Sequence, residues 1–156
     1  MLDQNDIQKI KEATTIFFTK TTIPPLSVEC SVLSEGDKDS AQVDVKLKEP
    51  QILIGEKGQT LFEAQRILKI ILNKKLQKIF YLNLDINDYK KTKSEYLKEI
   101  AKDLADEVAI NKREKVLSPM SAYERRIIHA ELAKRQDVIT ESSGDGFDRH
   151  IIIKPR

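Results

Sequence analysis

Three stretches of this chain alternate apolar and polar residues with a period of two, and this limits the fold more than any other feature. Leu26, Val28, Cys30 and Val32 alternate with Ser27, Glu29 and Ser31. Ala41, Val43, Val45 and Leu47 alternate with Gln42, Asp44 and Lys46, and Phe80, Leu82, Leu84 and Ile86 with Tyr81, Asn83 and Asp85. Alternation puts each apolar set on one face of a strand, so all three are expected to be half-buried strands. Such faces need covering, and helical periodicity supplies the cover. Ile7, Ile10, Thr14, Phe17 and Phe18 recur at helical spacing behind Asp3 or Asn5 as a cap, and Pro24-Pro25 ends that helix. Ser34 to Ser40, with Gly36-Asp37, is expected to be a polar hairpin loop. The expected fold class is α+β.

With 156 residues, the chain has room for one domain or two small ones. Its charged fraction of 33% and hydrophobic fraction of 40% fit a globular protein with polar surfaces. Net charge is only +2, with the basic excess in the residues after the second alternation, a distribution compatible with nucleic acid. Cys30, the only cysteine, excludes an intrachain disulfide, and its place on an apolar face makes it a core residue. No signal segment opens the chain and no apolar run approaches membrane-spanning length, so a cytoplasmic location without membrane insertion is expected.

Between the second and third alternations lies Ile52-Leu53-Ile54-Gly55-Glu56-Lys57-Gly58-Gln59-Thr60. Two glycines three apart permit a tight turn and close backbone approach. Thr60 and Glu63 have capping-box spacing. The helix that follows is expected to bury Leu61, Ala64, Leu68, Ile71 and Leu72 and to expose Arg66, Lys69, Lys74 and Lys75. A Gly-x-x-Gly loop opening onto a helix N-terminus favours phosphate through its N–H groups and dipole.

After the third alternation, Asn87 or Asp88 can cap a long helix with Tyr96, Leu97, Ile100, Leu104 and Val108 on one face. A short Val116-Leu117 strand follows, and then Ser121 and Glu124 form another capping box. In the helix so started, Arg125 and His129 are four apart and share a face, a donor-rich pair suited to phosphate. Neither is expected to be needed for folding, because Ile127, Ile128 and Leu132 can supply the buried contacts. Arg126 points about a quarter-turn away. Val138 to Glu141 and Phe147 to Ile153 are expected to pair as a hairpin, with Phe147, Arg149, Ile151 and Ile153 on one face.

The Gly-x-x-Gly loop, with two strands before it and one after, resembles a KH domain of the bacterial type. Pro119-Met120-Ser121, Tyr123 to His129 and the ending Ile151 to Arg156 resemble the C-terminal domain of the Jag family, here called the RxxxH domain after its Arg-x-x-x-His signature. Jag proteins are bacterial cytoplasmic proteins with a KH domain followed by an RxxxH domain. The resemblance implies a KH-like domain over residues 1–87, a three-stranded sheet with helices, and a small α/β RxxxH domain over 88–156. Family members often carry an additional N-terminal domain, for which this chain has no room.

The resemblance also implies binding of single-stranded RNA, or single-stranded DNA, at Gly55, Glu56, Lys57 and Gly58 and at Arg125, Arg126 and His129. Glu56 departs from the basic residues common in such loops and repels phosphate. The implied role is an RNA chaperone or post-transcriptional regulator connected with cell elongation and wall synthesis, with a small stand-alone KH protein as partner. The alternative is a protein-interaction adaptor using the same surfaces. One cysteine and two histidines on separate elements do not make a zinc site. Phosphate-loop and dinucleotide fingerprints are absent, so no metal, cofactor or catalysis is expected.

Overall fold

The computed structural model describes residues 2–35 and 38–156. Gly36-Asp37, the expected hairpin tip, lies outside the described residues. The chain divides into two compact units, Met1–Lys90 and Lys91–Arg156.

In the first unit the order is α1 (Gln4–Lys20), β1 (Ser27–Glu35), β2 (Lys38–Lys46), the single-turn helix α2 (Gln51–Ile54), a 3-10 turn (Glu56–Gly58), α3 (Gln59–Leu76) and β3 (Tyr81–Ile86). Asp3 caps α1 through a reciprocal box with Asp6. The sheet order is β1-β2-β3. β1 runs antiparallel to β2, with Cys30 opposite Val43. β3 runs parallel to β2, with Val43 opposite Leu84. A parallel pair needs a crossover, and this one carries α2, the 3-10 turn and α3. Ile10, Phe18, Val43, Val45, Leu61, Leu68, Leu72, Leu84 and Ile86 form the core, with Cys30 packed partly buried against it. Burial raises the Cys30 thiol pKa, which makes it a poor nucleophile.

Two expectations fail here. Leu26 is exposed: it precedes β1, and its N–H donates to the Lys46 carbonyl at 2.8 Å. Ile71 is also exposed. The buried line of α3 runs through Leu61, Ala64, Leu68, Leu72 and Leu76, and Ile71 lies beside it with Ile67 and Ile70.

The second unit contains most of α4 (Tyr89–Asn111), then β4 (Lys115–Val116), α5 (Ala122–Leu132), β5 (Val138–Ser143) and β6 (His150–Pro155). The Asp85 carboxylate accepts from the Lys90 N–H at 3.0 Å in the first turn of α4, while the Asn87 side chain is bonded to the backbone of Leu47. The sheet order is β4-β6-β5, antiparallel throughout. Its core joins Leu97, Ala101, Ala105 and Val108 of α4 to Ile128 and Leu132 of α5 and to Val138, Ile151 and Ile153. The inward line of α4 thus uses two alanines, and Tyr96 is exposed. Phe147 departs from the expected strand face: it lies in a 3-10 turn, Gly146–Asp148. The β5–β6 ladder closes at Ser143 opposite His150, and Gly144 then turns the chain out of the sheet at φ +80.

Candidate nucleic-acid interface

The start of α5 is set by a reciprocal cap. The Glu124 N–H donates to Ser121 Oγ at 3.3 Å, and the Ser121 N–H donates to Glu124 Oε2 at 2.8 Å. Glu124 is buried, with Lys93 Nζ 3.5 Å from its carboxylate. Ile128 and Leu132 anchor the helix in the core. With the helix fixed at both levels, Arg125 and His129 meet hydroxyls on β5. His129 Nδ1 lies 2.7 Å from Thr140 Oγ1, and His129 Nε2 lies 2.8 Å from Ser142 Oγ. Arg125 Nη1 donates to the same Ser142 Oγ at 3.4 Å.

Two features of this cluster are chemically incomplete. Arg125 Nε is buried and has no hydrogen-bond partner among the described residues, although buried donors are nearly always paired. Ser142 Oγ also has spare capacity. In the tautomer with the proton on Nε2, Ser142 accepts from both Arg125 and His129, and its own hydrogen is left for another acceptor. Thr140 then donates to Nδ1. Partial burial, and next the neighbouring Arg125 charge, hold the His129 pKa below its ordinary value of 6.5. The ring is therefore neutral at neutral pH, and its tautomer sets which hydroxyl donates.

Arg125 and His129 are brought together as expected. Arg126 lies on the same helix and is exposed. Thr140 and Ser142 are the site residues that the sequence reading did not single out. Their signal was present: they follow the buried Val138 at strand spacing, so hydroxyls occupy an inward face where apolar residues are usual.

The loop of the first unit has a different construction. Gly55 has φ +73 and ψ −179, and Lys57 and Gly58 are left-handed. A Cβ on Gly55 would lie 2.1 Å from Thr60 Oγ1, and one on Gly58 would lie 2.6 Å from Tyr89 Cε1. Both glycines are thus required by packing inside the unit as well as by backbone angle. Glu56 and Lys57 are the exposed members of the loop, and Gly58 is buried. The expected Thr60–Glu63 box does not form: Gly58 is the N-cap of α3, and no side chain caps the helix. Glu63 instead accepts from Arg66 Nη1 at 3.2 Å. The uncapped first turn keeps its N–H donors for solvent or an anion.

Residues 95–155 match the family model of the R-3-H domain, the Arg-x-x-x-His domain called RxxxH above. The chain is similar to RNA-binding protein KhpB of Clostridium symbiosum, 37% identical over 128 residues that cover 82% of this chain and 58% of that protein. It is similar to RNA-binding protein KhpB of Bacillus subtilis (strain 168), 28% identical over 138 residues, 87% of this chain and 66% of that protein. RNA-binding protein KhpB of Streptococcus pneumoniae serotype 2 is 28% identical over 136 residues, 87% of this chain and 42% of that protein. This chain therefore spans roughly half the length of these relatives.

Proposed function

We propose that this chain, whose second unit carries an RxxxH domain, is a non-enzymatic single-stranded RNA-binding protein that holds a backbone phosphate at Arg125, His129 and Ser142. The observation that carries the reading is the buried, unpartnered Nε–H of Arg125. Leaving such a donor unpaired costs free energy that an acceptor would recover. Nε is closed to solvent as the side chain lies, so the guanidinium must turn outward first. A phosphate oxygen can then accept from Nε and an Nη together, in the paired geometry that arginine favours. Ser142 adds a neutral donor, and His129 acts through the hydroxyls it orients. The relatives are named as RNA-binding proteins, which supports the RNA-binding part of this reading.

The first unit is read as KH-like. Its support is the order α1, β1, β2, Gly-x-x-Gly turn, α3, β3 around a three-stranded sheet. The exposed Glu56 and Lys57 at an uncapped helix start would then meet the strand backbone. An RNA chaperone or post-transcriptional regulator of the cytoplasm, connected with cell elongation and wall synthesis, follows the resemblance to the Jag family. Among the described residues, no helix is long and apolar enough to cross a membrane. The adaptor reading has one observation in its favour: Ile16, Ile67, Ile70 and Ile71 are exposed on α1 and α3, a surface suited to a protein such as a stand-alone KH domain.

The test is equilibrium binding of a random single-stranded RNA pool and of a perfect duplex at matched salt, with the parent chain and Arg125→Ala. Single strands should bind more tightly, and Arg125→Ala should lose about ten-fold or more, the loss of a charge-assisted contact worth about 1.5–3 kcal/mol. Absence of binding to the pool would favour the adaptor. Metal-dependent cleavage of the pool would revive an enzyme.

A further inference from the structure

Phe147 is 98% exposed, the most exposed of the large apolar side chains among the described residues. Its turn is closely built. The Asp148 N–H donates to the Asp145 carbonyl at 3.1 Å, and His150 Nδ1 lies 2.8 Å from the Asp148 carbonyl oxygen. A Cβ on Gly144 would come within 2.7 Å of that same oxygen. The ring is thus presented to solvent by an ordered turn.

That turn continues the strand that carries Ser142. The ladder closes one residue beyond it, at Ser143 opposite His150. Phe147 is five residues past Ser142, so even a fully extended chain would put it within about 18 Å, and the hairpin brings it closer. This distance is within the reach of a few nucleotides of one strand. Arg149 is exposed on the same turn, together with the carboxylates of Asp145 and Asp148. The turn therefore offers the ring and not a basic patch, and the charge that holds the strand is that of Arg125. Single-stranded nucleic acid is held by this combination of backbone charge and an aromatic face on which an unpaired base can lie.

We propose that Phe147 is a stacking platform for a base of the same strand whose phosphate is held at Arg125 and Ser142. The proposal rests on the RNA-binding reading above and adds to it a base contact. It also gives the second unit a physical reason to prefer single strands, because a duplex keeps its base faces stacked on one another.

The chain contains no tryptophan, so Phe147→Trp would introduce a sole indole at this position. The probes are a short oligoadenylate, a strand of the same length with every base removed, and a perfect duplex. Emission of the Phe147→Trp protein should be quenched saturably by the oligoadenylate and not by the abasic strand or the duplex. Phe147→Ala should bind the oligoadenylate about 5- to 100-fold more weakly while keeping the parent's affinity for the abasic strand and its circular dichroism. Arg125→Ala should weaken both strands. Unquenched emission with unchanged Phe147→Ala affinity, while Arg125→Ala still loses binding, would overturn the stacking proposal and leave the phosphate site standing. Failure of the parent chain to bind either strand would overturn both and assign the exposed ring to a protein partner.

Discussion

At Gly58 an added methyl group has no room: it would meet the Tyr89 ring at 2.6 Å, on a backbone at φ +81. Gly58→Ala should therefore lower stability by about 1–3 kcal/mol from backbone strain, with the clash adding to it, measured as a fall in denaturation midpoint. An exchange at this position reports on folding before it reports on RNA. Glu56, exposed in the same turn, is the cleaner probe. His129 likewise does more than line a surface. Removing its ring strands Thr140 and Ser142, so His129→Ala should cost about 1–3 kcal/mol, two ordinary hydrogen bonds. The sequence-based expectation is that the residue is dispensable for folding, and a fall in denaturation midpoint of this size would count against it. Because its folded pKa is depressed, the stability it contributes is complete above its ordinary value of 6.5 and is lost as pH falls through the lower folded value. A nearby phosphate favours the imidazolium, so RNA affinity should strengthen with acidification mainly below the ordinary histidine range. His129→Ala should flatten that rise, and titration of the ring by NMR would place it.

At the scale of elements, the two Ser/Thr-x-x-Glu spacings gave opposite outcomes. Ser121 adopts an extended backbone and its box with Glu124 closes, so α5 was legible from four residues. Thr60 lies inside α3 because left-handed Gly58 starts the helix two positions earlier. The spacing alone does not record where the preceding backbone turns. The three sheet strands of the first unit were legible because a single buried face imposes alternation. Alternation misled at Phe147, where Arg149 and Ile151 happened to extend the pattern across a turn set by Gly144. It also did not mark Ser142, since a hydroxyl facing inward breaks the very pattern being followed. For the Gly55–Gly58 turn, Glu56→Lys should tighten binding of single-stranded RNA, because it replaces a repulsive charge with an attractive one at an uncapped helix start. Log affinity against log salt should steepen by about 0.7 for each phosphate newly neutralised. An unchanged slope and affinity would remove this turn from the interface.

Across the whole molecule, each unit buries its own cluster, one centred on Val43, Leu84 and Phe18 and the other on Ile128, Ile151 and Ile153. Leu84→Ala should cost about 2–5 kcal/mol, read by residue-resolved amide exchange as lost protection in residues 2–35 and 38–90. The pairing of β3 with β2 also has a temporal consequence. β1 and β2 are neighbours in sequence and can zip as a hairpin in microseconds. β3 is parallel to β2 and must wait until the whole intervening crossover has closed, an entropic delay that local pairing does not face. Tyr89, which packs against Gly58, follows β3 in the chain. A nascent chain that has emerged only as far as Leu76 therefore has its first hairpin and its helices but no ring to hold the Gly-x-x-Gly turn. The turn is expected to reach its final shape only once Tyr89 has followed it out of the ribosome, which amide protection measured on stalled nascent chains would check.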